Sequence, residues 1–353
     1  MHEEYLKEAL AIAEIRQGFC SPNPSVGAVV VKDNFILSTG MHYEYGAPHA
    51  EVDALAQIGE EAKGATIYVT LEPCCHWGKT PPCTQLLIDR GIKEVIYAYE
   101  DPNPLVAGKG QHMLTNANIK CRHISLPEIN EFYKSYTHWH HTQLPFVTAK
   151  LAISMDGKIA GPHHQPVKIS GLQLQITTHQ LRKKSDAILT TVNTIQHDNP
   201  QLNVRIEGVI YKKPLYILDS QLNTPINSNI FQTAENVTIF HAANAPSHKA
   251  EELTAHGATC QAIPTNEYGL NLMNVLKFIG NEGRHNLFIE AGGRCFTSFI
   301  EQKLIHRALI YISPKILGQH ALSAFNCNNN ILSLAQNIEW HIVEQDVMCD
   351  IKF

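Results

Sequence analysis

The chain has 353 residues, 44% of them hydrophobic and 17% charged, which is enough apolar material for two globular domains and too little charge for a disordered chain. Lys and Arg number 28 against 33 Asp and Glu, and the net charge of -5 supplies no bulk attraction to nucleic acid or to an anionic membrane. No apolar stretch approaches the ~18–20 residues that cross a bilayer, and Met1-His-Glu-Glu-Tyr5 lacks the cationic flank and apolar run of a signal peptide.

A cytoplasmic location is therefore expected, and the nine cysteines are read as metal ligands or core thiols rather than disulfides. In chain order, Leu6, Ala9, Leu10 and Ala13 recur at helical spacing, with Gly18 as a stop. The run from Val26 to Val31 is short, β-branched and almost wholly apolar, as in a strand covered on both faces. A helix opens near Pro48, and a second buried strand starts at Thr66. A helix near Thr84, a third strand from Glu94 and a weaker one near Ile119 follow, with Asp101-Pro-Asn-Pro104 breaking the chain between the last two. Strands alternating with helices imply an α/β layer sandwich.

From Glu128 to Leu144 the pattern turns polar and His-rich, and Thr137-His-Trp-His-His141, with no acid or thiol beside it, reads as a solvated helix end. Pro145 and a new strand from Phe146 then start a second α/β region. The expected domains are thus 1–144 and 145–353. Further strands are expected at Ala187, Leu215, Val237, Leu287 and Ala308, helices at Leu172, Leu270 and Phe296, and a terminal hairpin around Gln345-Asp346.

The strongest local signal is Pro48-His49-Ala50-Glu51, followed by Glu72-Pro73-Cys74 and Pro81-Pro82-Cys83. His49 opens a predicted helix and Cys74 follows a buried strand, where active sites of α/β sheets gather. One imidazole and two thiolates give zinc three ligands and leave a fourth tetrahedral position for water, whose pKa the metal lowers toward ~7. Glu51, two residues beyond the first ligand, can face that water without ligating and shuttle its proton. The pattern is that of base deaminases, H-x-E followed by P-C-x-x-C, except that eight residues rather than two separate Cys74 from Cys83. A closed structural knuckle completed by Cys75 or His76 is the competing reading, but a knuckle has no use for Glu51. Editing of nucleic acid would need a basic, aromatic strand-binding surface that this composition does not supply.

The segment Glu72-Pro-Cys-Cys-His-Trp-Gly-Lys-Thr-Pro-Pro-Cys83 resembles the deaminase domain of the bifunctional riboflavin biosynthesis family, diaminohydroxyphosphoribosylaminopyrimidine deaminase joined to 5-amino-6-(5-phosphoribosylamino)uracil reductase. Cys75 stands where that family usually has serine. Pro22-Asn23-Pro24-Ser25-Val26-Gly27, Pro48-His-Ala-Glu51 and Asp101-Pro-Asn-Pro104 are similar to family segments in the same order, and the resemblance covers essentially the whole chain. It implies a cytidine-deaminase-like three-layer α/β/α domain followed by a dihydrofolate-reductase-like α/β domain. By it, His49, Cys74 and Cys83 hold one zinc ion per chain and Glu51 is the catalytic shuttle. Asn23 and His42 would meet the pyrimidine, and Lys79, Asp101 and Asn103 the ribose phosphate. Asn23 and Asn103, each between prolines, also suit plain turns, and His42 also suits a core or surface histidine.

In the second half, Glu290-Ala-Gly-Gly-Arg294 lies where a strand meets a helix, but a bare Gly-Gly is not the dinucleotide fingerprint. Lys150-Leu-Ala-Ile-Ser-Met-Asp-Gly157, Asp198-Asn-Pro-Gln-Leu-Asn-Val-Arg205 and Leu218-Asp-Ser220 resemble the family's reductase landmarks. The resemblance implies that Arg182, Leu202, Arg205 and Glu290 hold the substrate, with Lys150 near its ring and the two arginines suited to its phosphate. NADPH would lie along Ile153, Lys168, Thr194, Asp198 and Ser220, and along Gly292, Gly293, Arg294, Cys295, Phe296, Thr297 and Ser298. The implied chemistry is hydrolytic deamination of a pyrimidine ribosyl phosphate, then hydride transfer to the anomeric carbon that opens ribosyl to ribityl. Pro166 and Lys168 precede Ile169-Ser170 where many relatives carry serine and tryptophan, which motivates an alternative: a deaminase with a scaffold C-terminal domain. The implied partners are the small-molecule substrate and further copies of the chain, as a dimer or tetramer, with no nucleic acid and no membrane.

Overall fold

The computed structural model describes residues 1–353 other than 76, 78–80, 105 and 326–329. The chain divides into two compact units, Met1–Gln143 and Leu144–Phe353.

The first unit runs α1 (His2–Ile15), β1 (Gly27–Lys32), β2 (Phe35–Met41), α2 (Ala50–Ala56), β3 (Thr66–Val69), α3 (Cys83–Asp89), β4 (Glu94–Tyr97), α4 (Lys109–Asn116), β5 (Lys120–His123) and α5 (Pro127–Thr142). Its sheet has the order β2-β1-β3-β4-β5, with β1 antiparallel to both neighbours and β3, β4 and β5 parallel. Alternate strand residues feed two apolar layers. Val30, Ile67 and Val95 meet Ala54, Leu87 and Leu114 on one face. Val29, Tyr68 and Ile96 meet Leu6, Ile129 and Tyr133 on the other. Helices on both faces of one sheet make this a three-layer sandwich.

Two features differ from the sequence expectation. The edge strand β2 was not anticipated, because Phe35 and Ile36 are exposed and blur its alternation. Its signal lay in the turn: Asp33 and Asn34 both take positive φ, the geometry of a tight hairpin. The His-rich segment is a full 16-residue helix whose inward face, Ile129, Tyr133 and Tyr136, belongs to the core. Only its outer side and C-terminal turn carry the histidines.

The second unit holds a sheet of nine strands: β6 (Phe146–Ser154), β8 (Ala187–Thr191), β11 (Leu215–Leu218), β12 (Val237–Ala242), β13 (Ala258–Ile263), β16 (Asn286–Glu290), β17 (Arg307–Ser313), β19 (Asn337–Val343) and β20 (Asp346–Lys352). Short pairs complete it: β7 (Lys158–Ala160) with β18 (Leu322–Ser323), β9 (Val204–Ile206) with β10 (Val209–Tyr211), and β14 (Thr265–Asn266) with β15 (Gly269–Leu270). The order β13-β12-β11-β8-β16-β6-β17-β20-β19 is parallel from β13 to β17, and the terminal hairpin closes the far edge antiparallel. That hairpin turns through Glu344-Gln345, one residue before the expected place. Helices α6 (Leu172–Lys184), α7 (Val192–Asp198), α8 (Ile230–Thr233), α9 (Ser247–Ala255), α10 (Leu272–Asn281) and α11 (Gly293–Glu301) connect the strands. Among the described residues no helix is long and apolar enough to cross a membrane.

Strand β16 is inserted between β8 and β6, although it follows them by about a hundred residues of chain. Parallel pairing in register then brings the C-terminal ends of β8, β16 and β6 to one edge, the usual location of a binding crevice in an α/β sheet.

Candidate active sites

In the first unit, His49 is the N-cap of α2 and Cys83 the first residue of α3, while Cys74 follows the loop after β3. The α2 helix packs unusually close to β2: a Cβ on Gly40 would lie 2.3 Å from the Ala50 carbonyl oxygen. His49 Nδ1 lies 3.2 Å from Cys83 Sγ and 3.5 Å from Cys74 Sγ, and the Cys83 amide donates to Cys74 Sγ at 3.3 Å. The three ligand atoms lie within 4.8 Å of one another, and among the described residues they are the group able to hold a metal; Cys75 does not join them. Hydrogen bonding from Cys83 and from His49 holds the Cys74 thiol down at about 4, and the bond to Cys74 lifts His49 to about 9. Cys74 is thus already the thiolate a divalent cation needs, and the His49 proton is the one such a cation would displace.

Glu51 is fully enclosed beside this group, and burial, reinforced by the charge on Cys74, raises its carboxyl above the usual range. A cavity of about 250 Å³ opens next to it, lined in part by Asn23, His42, Glu51, Asp101, Asn103 and Tyr136. His42 donates from Nδ1 to the Pro48 carbonyl at 3.0 Å, so its Nε2 accepts from the Asn23 amide at 3.1 Å. Burial lowers the His42 pKa, in keeping with a neutral ring. Asn23 is thereby oriented, and what it can offer a ligand is its carbonyl oxygen. Asp101 accepts from the Asn103 amide at 2.9 Å and from the Tyr136 hydroxyl at 3.4 Å, and burial lifts its carboxyl to about 6. Lys79 lies outside the described residues.

Two residues here escaped the sequence reading. Glu72 is buried and accepts the Gly108 and Gln111 amides at 3.0 and 3.3 Å, capping α4 with a carboxylate. Its place beside Pro73-Cys74 was the available signal. Tyr136 comes from the far end of the unit's sequence, and no local motif marks it.

In the second unit, Lys150 and Glu290 are paired residues of β6 and β16. Arg182, from α6, forms a bidentate ion pair with the Glu290 carboxylate and donates to the Asn203 carbonyl at 2.8 Å. Burial pushes Glu290 up, but the Arg182 charge and hydrogen bonds, with Lys150 behind them, hold it below the usual range. Burial lowers the Lys150 ammonium, which lies 5.3 Å from the Tyr311 ring centroid. Two residues expected to grip a substrate thus grip each other. Leu202 is buried with φ +46°, and Arg205 is exposed, its guanidinium held by Asn203 Oδ1 and Gln201 Oε1.

The residues expected along a dinucleotide divide into two kinds. Thr194 lies in the first turn of α7, where Thr191 caps it, and Ser220 follows β11. Ile153 lies at the end of β6 in the core cluster. Gly292 caps α11, and a Cβ on Gly293 would fall 1.7 Å from the Ala324 carbonyl oxygen, so that position admits only glycine. Phe296 and Thr297 point into protein rather than outward, whereas Arg294 is exposed. Burial raises the Cys295 thiol to about 12, and Ser298 bonds the Arg294 carbonyl. The helix therefore offers backbone amides and Arg294, not a row of side chains. Lys168 and Asp198 are exposed, with the Lys168 carbonyl accepting from Lys315.

Residues 1–99 match the cytidine and deoxycytidylate deaminase zinc-binding region, and residues 145–341 match the RibD C-terminal domain. The chain is 40% identical to the riboflavin biosynthesis protein RibD of Aquifex aeolicus over 322 residues, 90% of this chain and 88% of that protein. A solved structure of Acinetobacter baumannii RibD superposes with a TM-score of 0.86 at 31% identity, covering 99% of this chain and 98% of that one. A Thermotoga maritima structure described as a diaminohydroxyphosphoribosylaminopyrimidine deaminase/5-amino-6-(5-phosphoribosylamino)uracil reductase gives 0.85 at 28%, with the same coverage. The fold class expected above, a cytidine-deaminase-like unit followed by a dihydrofolate-reductase-like one, is the one these matches carry. With both domain families in order and this identity held over nine-tenths of its length, the chain belongs to the RibD family, the bifunctional deaminase–reductases of riboflavin biosynthesis.

Proposed function

We propose that the first unit hydrolytically deaminates 2,5-diamino-6-ribosylamino-4(3H)-pyrimidinone 5′-phosphate with one zinc ion. The second then uses NADPH to reduce the ribosyl group to ribityl, giving 5-amino-6-ribitylaminouracil 5′-phosphate. The observation that carries this reading is the convergence of His49, Cys74 and Cys83 beside the buried Glu51 at a cavity wall. One nitrogen and two sulfur donors suit zinc and leave a ligand position open. A zinc ion held there supplies a water acidic enough to attack at neutral pH. Glu51, with its raised pKa, is placed to hold a proton and would move it from water to the leaving amine, while the Asn23 carbonyl oxygen would select a ring N–H or amino group. Asp101 and Asn103 border the same cavity and suit the ribose phosphate end, where Lys79 would add a cation.

In the second unit, the α11 N-terminus with Arg294 suits the cofactor's phosphates. NADPH supplies the hydride. Lys150, Glu290 and Arg182 form a polar cluster against which the sugar would be aligned, and Arg182 also holds the segment that carries Leu202 and Arg205. Ile153, Thr194 and Ser220 sit at or near strand ends where a dinucleotide would run, Asp198 ends α7, and Lys168 can offer a charge to its 2′-phosphate. The domain limits proposed are 1–144 and 145–353, and the setting is the cytoplasm.

Mass spectrometry of the product formed with and without NADPH tests the reading. The expected product has one amine replaced by oxygen and gains two hydrogens only when NADPH is present. Deamination indifferent to NADPH would overturn the reductase half and leave the second unit a scaffold. No conversion by zinc-loaded protein would overturn the substrate. The chain is also read as a homo-oligomer, because the edge strand β19 leaves Trp340 63% and Ile342 86% exposed. Light scattering is expected to give a dimer or tetramer, and a monomer would overturn that reading.

A further inference from the structure

The cation best placed for the substrate phosphate is Arg205, since Arg182 is spent on Glu290 and the Asn203 carbonyl. Arg205 sits in the middle of β9, after a segment in which Asn199 and Leu202 both take positive φ, at +38° and +46°. Left-handed backbone at two non-glycine residues costs free energy and persists only where neighbours fix it. Asn229 and Thr233, at α8, hold the first part of the segment by bonding the Asn199 and Gln201 carbonyls at 2.7 and 2.6 Å, and α6 holds its end. His179 and Arg182 stand three residues apart, so they share one helix face. Arg182 bonds the Asn203 carbonyl at 2.8 Å, and His179 Nδ1 accepts the Arg205 backbone N–H at 3.1 Å. Two anchors, at Asn203 and at Arg205, therefore clip the segment that carries Arg205 to one helix. The loop also holds the guanidinium itself, through Asn203 Oδ1 and Gln201 Oε1.

We propose that His179 is a positioning residue of the reductase site, a neutral ring that holds the Arg205 backbone so that its guanidinium meets the substrate's 5′-phosphate. The assignment rests on the reductase reading given above and names the group that phosphate recognition depends on. An imidazolium would have no lone pair to accept the Arg205 N–H and would face two arginines. Burial, with the charges of Arg182 and Arg205, depresses the His179 pKa to about 4 and keeps the acceptor in place.

The test uses the full chain and three proteins: wild type, His179→Ala and His179→Asn, whose Oδ1 can take the place of Nδ1. Reduction is followed with the deaminated 5′-phosphate and with the same compound lacking phosphate. In His179→Ala, KM for the phosphate is expected to rise about five- to tenfold, the loss of one hydrogen bond, with kcat within about twofold. KM for the dephosphorylated compound stays at its wild-type value, and His179→Asn restores the first KM. Deaminase turnover is unchanged throughout. A fall that strikes both compounds equally, or none, overturns the proposal.

Amide hydrogen exchange at Arg205 supplies a readout that needs no turnover: protection lost in Ala and kept in Asn is expected, and equal protection in all three overturns the clip. Wild-type protein unable to reduce either compound would overturn the functional reading itself, while the exchange measurement still decides the clip.

Discussion

Glu51 and Asp101 are both enclosed carboxyls whose pKa burial raises, yet removing the charge of each has opposite uses. Glu51→Gln keeps the shape of the cavity wall but cannot move a proton, so deamination should fall by about 10²–10⁴-fold. Zinc content by atomic emission should stay at one per chain, since the His49, Cys74 and Cys83 donors are untouched. Loss of the metal together with activity would make Glu51 a structural residue. For Asp101, a folded pKa of about 6 above an unfolded value near 3.8 means that its favourable contribution is complete below about pH 4 and is lost as pH rises through 6. At neutral pH the buried charge is a cost on the order of 2 kcal/mol. Asp101→Asn, which still accepts the Asn103 amide, should raise the melting temperature at pH 7.5 and match wild type at pH 3.5, while deamination weakens. Equal melting curves at both pH values would show that Asp101 is solvated.

At the level of elements, α4 is held by a side chain from another part of the chain. Glu72 reaches across to its first turn, and Gly110 lets the Pro73 carbonyl approach where a Cβ would be 2.3 Å away. Glu72→Ala leaves two amides without their acceptor and should cost about 1–3 kcal/mol, seen as a lower thermal midpoint with reductase turnover preserved. What was readable beforehand follows the same division between near and far. The apolar runs gave β1, β3, β4 and most of the second sheet, because strands covered on both faces have nothing to alternate with. His49, Glu51, Cys74 and Cys83 were legible because each sits in a short motif at an element end. Contacts made across long sequence separations were not: Tyr136 on Asp101, Arg182 on Glu290 and His179 on Arg205 have no local signature. Nor was β2, whose exposed Phe35 and Ile36 obey the turn rather than the pattern.

Across the whole molecule, each unit contains its own core, its own sheet and its own set of reactive side chains. Two damaged chains should therefore complement one another. Glu51→Gln lacks the proton shuttle, and Lys150→Met lacks the buried ammonium beside Glu290. Neither alone should form the ribityl product, but an equimolar mixture with NADPH should, after a lag while the deaminated intermediate accumulates. Product from neither the singles nor the mixture would mean that the intermediate does not pass through solution between chains.

The Arg182–Glu290 pair also bears on which small molecules could block the reductase crevice. A carboxylate or sulfonate aimed at Arg182 would have to evict an internal anion that already occupies the Nε–Nη2 edge of the guanidinium, while Nη1 is bonded to the Asn203 carbonyl. An amide or hydroxyl that leaves the pair intact and approaches the Lys150 side asks for no such exchange. Selectivity against this enzyme is then to be sought in neutral head groups, with acidity kept for the exposed Arg205.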